Sequence, residues 1–170
     1  VVFDYDDKIR IAEALAELGV KRIEAGMPSV SRDDDKAIRE IVRRLPGVQV
    51  FAFARCMVDD VKRALDCGVH GVVVEIPSSK HMIEQAYGWP VQKAIDLSIE
   101  ATKYAGDNGL YTVFFPIDGT RAEEEWFFDL IEEVASNGHM DALAAVDTMG
   151  GASPHGILRF ITRLKERISV

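Results

Sequence analysis

The sequence holds only two cysteines, Cys56 and Cys67. That is too few for a disulfide framework or a cysteine-built zinc site, and it points to a reducing compartment, the cytoplasm. No apolar run approaches the roughly 20 residues that a membrane-crossing helix needs. No charged-then-apolar leader opens the chain, so a membrane partner is not expected. Basic residues are outnumbered, 20 Lys and Arg against 28 Asp and Glu, for a net charge of −8. A nucleic-acid partner, which needs a basic stripe to neutralise phosphates, is not expected either. His70, His81, His139 and His155 form no His-x-His or His-Glu-x-x-His pair, so no metal ligand is assigned within these residues. No glycine-rich phosphate loop of the Rossmann or Walker kind follows any apolar run. A starting methionine is also missing. Val1 opens the chain, as in a processed protein or a section of a longer one.

What is present is a regular alternation. The 170 residues suit one domain. Helical periodicity covers Tyr5 to Leu18, with Asp4 as N-cap and Gly19 as stop. A strand-like run, Val20 to Ala25, follows. The pattern then repeats: helix Ser31–Arg44, strand Val48–Ala54, helix Val58–Asp66, strand Val69–Ile76, a long helical region His81–Ala105, strand Leu110–Ile117, helix Ala122–Ala135, strand Asp141–Val146 and helix Pro154–Ile168. Near-continuous apolar strands between amphipathic helices predict a parallel sheet covered by helices, an α/β fold. Two architectures fit: a five-stranded doubly wound sheet, or part of a (βα)₈ barrel, which normally takes about 250 residues. A doubly wound domain usually begins with a strand. This chain begins with a helix, as though a strand preceded it.

Parallel α/β folds place their sites at the C-terminal ends of the strands. Alternation along each strand makes Glu24, Arg55, Glu75 and Thr148 the inward-facing candidates, with Asp118 and Asp147 beside them. Glu24 is the candidate catalytic carboxylate, orienting a catalytic cation, or else half of a structural ion pair. Arg55 suits a substrate carboxylate or phosphate, because its planar fork binds two oxygens at once; it equally suits a pairing with Glu24 or Glu75. Glu75 is a base, a ligand or the charge that balances Arg55. Ser78 and Ser79 are anion donors or a helix cap. Thr148 is a hydroxyl for a substrate carboxylate, or part of a capped turn. Tyr87-Gly88-Trp89-Pro90 reads as a lid or as a bend between two helices. Cys56 reads as a small buried residue.

The motifs in order resemble one superfamily. Arg22-Ile23-Glu24-Ala25-Gly26-Met27-Pro28-Ser29, Arg55-Cys56-Met57-Val58-Asp59-Asp60, Asp118-Gly119-Thr120-Arg121 and Asp147-Thr148-Met149-Gly150 are similar to stretches of the isopropylmalate synthase, homocitrate synthase and hydroxymethylglutaryl-CoA lyase group, the DRE-TIM metallolyases. The resemblance implies a partial (β/α)₈ TIM barrel of about five parallel strands and six helices. It would lack the barrel's first strand and last two βα units. It also implies carbon–carbon bond cleavage or formation through an enolate of a 2-oxo or 2-hydroxy acid. A divalent metal (Mg, Mn or Zn) and acyl-CoA would take part, in a homo-oligomeric cytoplasmic enzyme acting on a small-molecule substrate. Glu24 then matches the glutamate that orients the family's arginine, and Thr148 the threonine that holds the substrate carboxylate. Arg55, Glu75 and Ser79 complete the expected substrate-binding set. The family's Arg-Asp strand and His-x-His metal pair are not in these residues. Phe53 stands where the synthases usually carry a histidine, and Phe114 and Pro116 are expected where polar residues line the pocket. These departures suit a more apolar substrate than a dicarboxylic 2-oxo acid, or a different reaction. The alternative is a non-catalytic α/β binding module that kept the scaffold.

Overall fold

A computed structural model describes residues 3–168. Six α-helices alternate with five strands: α1 Tyr5–Glu17, β1 Arg22–Glu24, α2 Arg32–Arg44, β2 Gln49–Arg55, α3 Val58–Asp66, β3 Gly71–Pro77, α4 Val91–Asp107, β4 Tyr111–Ile117, α5 Glu124–Asn137, β5 Ala142–Leu143 and α6 Pro154–Arg167. Helix starts follow the capping residues. The carboxylate of Asp4 accepts the Asp7 N–H at 2.8 Å, and the Ser31 and Ser153 hydroxyls do the same for α2 and α6. Two residues past the end of α1, Gly19 at φ +85° turns the chain from the helix toward β1, a conformation that glycine adopts without strain.

The sheet decides between the two architectures. All four pairings are parallel, and the strands lie in the order β1-β2-β3-β4-β5. A doubly wound sheet reverses its strand order at a switch point and carries helices on both faces. Right-handed crossovers between strands in unbroken sequential order put every helix on the same side, which is the arrangement of a barrel wall. The apolar core lies there. Ile23, Val50, Ala52, Ala54, Val72, Val74, Ile76 and Phe114 point outward from the strands and meet Ile9, Ile38, Ile41, Val61, Ala94, Phe127 and Leu164 of the six helices. Burial of such side chains contributes about 1.5–3 kcal/mol each.

Several boundaries differ from the periodicity. Strands β1 and β5 have three and two paired residues, shorter than the apolar runs, because among the described residues each bonds a neighbour on one side only. The helical region from His81 divides. A single π-helical turn, Met82–Ala86, precedes a bend at Tyr87–Pro90, and α4 starts after it. Pro90 supplies no N–H and forces its predecessor out of helical geometry, so the helix begins afresh at Val91. A short 3₁₀ turn, Gly119–Arg121, precedes α5.

Candidate active site

Strand parity and register assemble an inner face opposite the helices. Its lowest row sets Arg22 beside Gln49; the next sets Glu24, Phe51, Gly71 and Tyr111 in line; then come Phe53, Val73, Val113 and Ala142; then Arg55, Glu75 and Phe115. The floor is filled. The Arg22 guanidinium lies 4.6 Å from both the Phe51 and Tyr111 ring centroids and bonds Gln49. Above it, Phe53 and Phe115 pack edge to face at 5.9 Å. Charge therefore occurs at three levels of an otherwise largely apolar wall: Arg22 in the floor, Glu24 above it, and Arg55 with Glu75 at the top. Glu24 is level with Phe51, four residues before Arg55 on β2, or about 13 Å lower along the strand.

The upper level holds a two-pronged ion pair. Arg55 grips Asp60 through Nε (2.7 Å) and Nη2 (3.1 Å), and its own N–H reaches the same carboxylate at 3.3 Å. Asp60 is 5% exposed, in the first turn of α3, where the helix dipole favours an acid. Arg55 thus pairs with neither Glu24 nor Glu75. Its partner is Asp60, outside the candidate set, although two successive acids opening a helix, Asp59 and Asp60, are a visible signal. The fork leaves the Nη1 side of the guanidinium for another acceptor. Glu75, the register neighbour of Arg55, has its Oε1 buried and, among the described residues, without a hydrogen-bond partner. Burial pushes its carboxyl above the usual glutamate range, against the pull of Arg55. Tyr87 overhangs this corner. Burial first, and then the Glu75 carboxylate, push its phenol up, while Arg55 lowers it. On Glu24, burial alone raises the carboxyl.

The loops after β3, β4 and β5 form one polar knot. The Ser79 hydroxyl donates to Asp118 Oδ2 at 2.6 Å and accepts the Met82 N–H. Its one proton is committed, so it holds Asp118 and the π-turn. Arg121 grips Asp118 through both oxygens, at 2.6 and 2.8 Å. The Asp118 N–H donates to Thr148 Oγ1 at 2.8 Å, which leaves the Thr148 hydroxyl proton free to donate. The Thr120 hydroxyl donates to Asp147, and the Gly151 and Ala152 N–H groups close that turn. Asp118 is 1% exposed and sits at φ +67°, a left-handed conformation that aspartate tolerates. Burial raises its carboxyl, but the Arg121 and Ser79 hydrogen bonds together outweigh that and hold it below the usual aspartate range. Asp118→Ala should cost about 3 kcal/mol, since it unpairs Arg121 and Ser79 together. With a lowered native value, the carboxylate's contribution is complete above its ordinary 3.8 and is lost as pH falls below that. The urea-midpoint gap between the protein and Asp118→Asn should accordingly close below about pH 4.

The other chemistry-bearing residues lie elsewhere. His70 accepts the Val50 N–H through Nδ1, and His139 pairs with Asp141 at 3.1 Å, both at the N-terminal end of the sheet. Cys56 is buried on the helix side, where burial pushes its thiol up. Phe114 and Pro116 also point outward into the core, which corrects the expectation that they line a pocket. The alternation of β4 turns Val113, Phe115 and Ile117 inward instead. Among the described residues, no group of three or more His, Cys, Asp or Glu side chains is placed to hold a metal ion. No helix among them is long and apolar enough to cross a membrane.

A family model described as HMGL-like matches residues 1–170. The chain belongs to the HMGL-like family. Homocitrate synthase AksA of Methanopyrus kandleri is 32% identical over 170 residues, all of this chain and 43% of that protein. A probable 2-isopropylmalate synthase of Ignicoccus hospitalis is 34% identical over 154 residues, 91% of this chain and 38% of its own length. The chain thus spans less than half of these relatives. Among solved structures, the HMG-CoA lyase of Bacillus subtilis superposes with a TM-score of 0.84 at 20% identity, covering 99% of this chain and 59% of the lyase. An HMG-CoA lyase from Acinetobacter baumannii, in complex with coenzyme A and 3-methylmalate, gives 0.82 at 18% identity, over 99% of this chain and 58% of that one. These likenesses establish the partial-barrel fold of this HMGL-like chain.

Proposed function

We propose that this HMGL-like chain supplies the central wall of a (βα)₈ barrel enzyme. That enzyme makes or breaks a carbon–carbon bond next to the carbonyl of a 2-oxo or 2-hydroxy acid, through an enolate. The flanking strands, one before and two after in the sequence, come from the rest of the protein. Its relatives are named as synthases and its structural neighbours as lyases, and an enolate step is the chemistry this reading gives them in common. The observation that carries this reading is strand parity, which turns Glu24, Arg55 and Glu75 onto the one face where a barrel builds its site. A divalent metal would polarise the substrate's oxygens. The described residues do not form its ligand set, so no step here is routed through it. Acyl-CoA is the proposed co-substrate, and a homo-oligomer in the cytoplasm the proposed setting.

Each side chain has a task within this scheme. Arg55, held by Asp60, presents its remaining edge to an anionic group. Thr148 donates its free hydroxyl proton to the substrate carboxylate. Glu24, exposed on the inner face and without a hydrogen-bond or ion-pair partner among the described residues, holds a catalytic cation in place. Ser79 keeps the Asp118 knot, and with it Thr148, in position. The test is to give the full-length protein a divalent metal, acetyl-CoA and a panel of 2-oxo acids, and to follow release of free CoA thiol. Release that needs both substrates and stops with a chelator supports the reading. Neither thiol release nor aldol-type cleavage of a 2-hydroxyacyl-CoA, in protein shown to bind metal, would leave only the binding module.

A further inference from the structure

Two buried side-chain oxygens, Ser29 Oγ and Glu75 Oε1, have no hydrogen-bond partner among the described residues, and Glu75 lies on the inner face. Its wall is otherwise apolar, made by Val73 below it on β3 and by Phe53 and Phe115 on the neighbouring strands. The nearby cation, Arg55, has closed its fork on Asp60. An unpaired acceptor in such a place is costly, and removing it would relieve that cost. A residue that weakens the fold and faces the inside of the barrel is most simply explained by a ligand that satisfies it.

We propose that Glu75 is a specificity-determining residue that selects a substrate side chain bearing a hydrogen-bond donor, a hydroxyl or an ammonium. The inference rests on the reading above, in which this face takes a 2-oxo acid. An apolar side chain would leave Oε1 unpaired. A second carboxylate would meet Glu75 and two aromatic rings while Arg55 is already half used. Sites built to pair a donor reject analogues that lack it far more strongly than apolar pockets reject extra atoms.

The experiment compares the full-length protein with Glu75→Leu and Glu75→Gln on three probes with acetyl-CoA: 2-oxobutanoate, 2-oxoglutarate and 4-hydroxy-2-oxobutanoate, with the amino analogue of the last as a fourth. The native protein should favour the hydroxyl or amino probe by at least tenfold in kcat/KM, and Glu75→Leu should erase that preference. Glu75→Gln keeps an acceptor, so it should retain a preference for hydroxyl and lose one for ammonium. Ligand-induced shifts in thermal midpoint read the same ranking without turnover. If no 2-oxo acid reacts but the shifts follow Glu75, the proposed reaction fails and the specificity assignment stands. A ranking that Glu75→Leu leaves unchanged overturns the assignment. So does a Glu75→Leu protein that melts lower than the native one, because Oε1 would then be paired by the fold itself.

Discussion

Gly71→Ala is expected to lower stability by about 3 kcal/mol or more, a large cost for one methyl group. Gly71 stands in the inner row of β3 between Phe51 on β2 and Tyr111 on β4. An added Cβ would lie 2.5 Å from the Tyr111 carbonyl oxygen and inside the edge of the Phe51 ring. Neither neighbour can retreat. The Tyr111 backbone is fixed by its own ladder, its N–H donating to the His70 carbonyl at 3.1 Å. Phe51 is 2% exposed, packs edge to face on Tyr111 at 5.7 Å and carries the Arg22 guanidinium. Relieving the clash means prising β3 from β4 or expelling the ring, and either one undoes the floor of the inner face. Gly47 makes the control. A Cβ there meets nothing within 4 Å, so Gly47→Ala should be neutral or slightly stabilising. Urea unfolding with an unchanged m-value and a shifted midpoint would measure both. A Gly71→Ala protein within about 0.5 kcal/mol of native would refute the packing account.

The same row explains why some of the site could be read from the sequence. Side chains alternate with a period of two, so once Val72, Val74 and Ile76 are taken as core, Glu75 must face the other way, and likewise Arg55 and Glu24. The helix-first order and the absent phosphate loop pointed to a barrel, and the unreversed strand order agrees. What escaped was whatever depends on neighbours distant in sequence. Ser79 reaches Asp118 across 39 positions, a contact that only the β3–β4 pairing creates. Asp60 reads as one more acid opening a helix until Arg55 is seen to grip it. Phe114 and Pro116 face the core because alternation along β4 turns their neighbours inward, and in a strand one position separates core from interior. Tyr87 was legible as part of a bend, but not its place beside Glu75.

Glu24→Gln is expected to reduce kcat by about a hundredfold while leaving KM within a few-fold, the pattern of a residue that orients another group rather than binding substrate. The reasoning starts from what Glu24 lacks. It faces inward from β1, level with an aromatic floor, and burial is the only influence that moves its carboxyl, upward. Partly desolvated but still exposed, such a carboxylate is only mildly unfavourable to the fold. Because its native value is raised above the ordinary 4.5, the native state is relatively favoured below that pH and loses ground as pH rises through the native value. Above that range the ionised group waits for a cation. A guanidinium placed against it would be held in one orientation and would pull the carboxyl back down, which is the service the proposed enolate chemistry needs from it. The amide of glutamine keeps the shape and removes the charge. Glu24→Gln should therefore fold at least as well as native at neutral pH, turn over slowly, and lose the acid limb of the kcat profile. Glu24→Asp, with the charge retained but shorter, should recover part of the rate. Slow turnover accompanied by a lower thermal midpoint would instead make Glu24 a structural residue. Full activity in Glu24→Gln would remove it from the site.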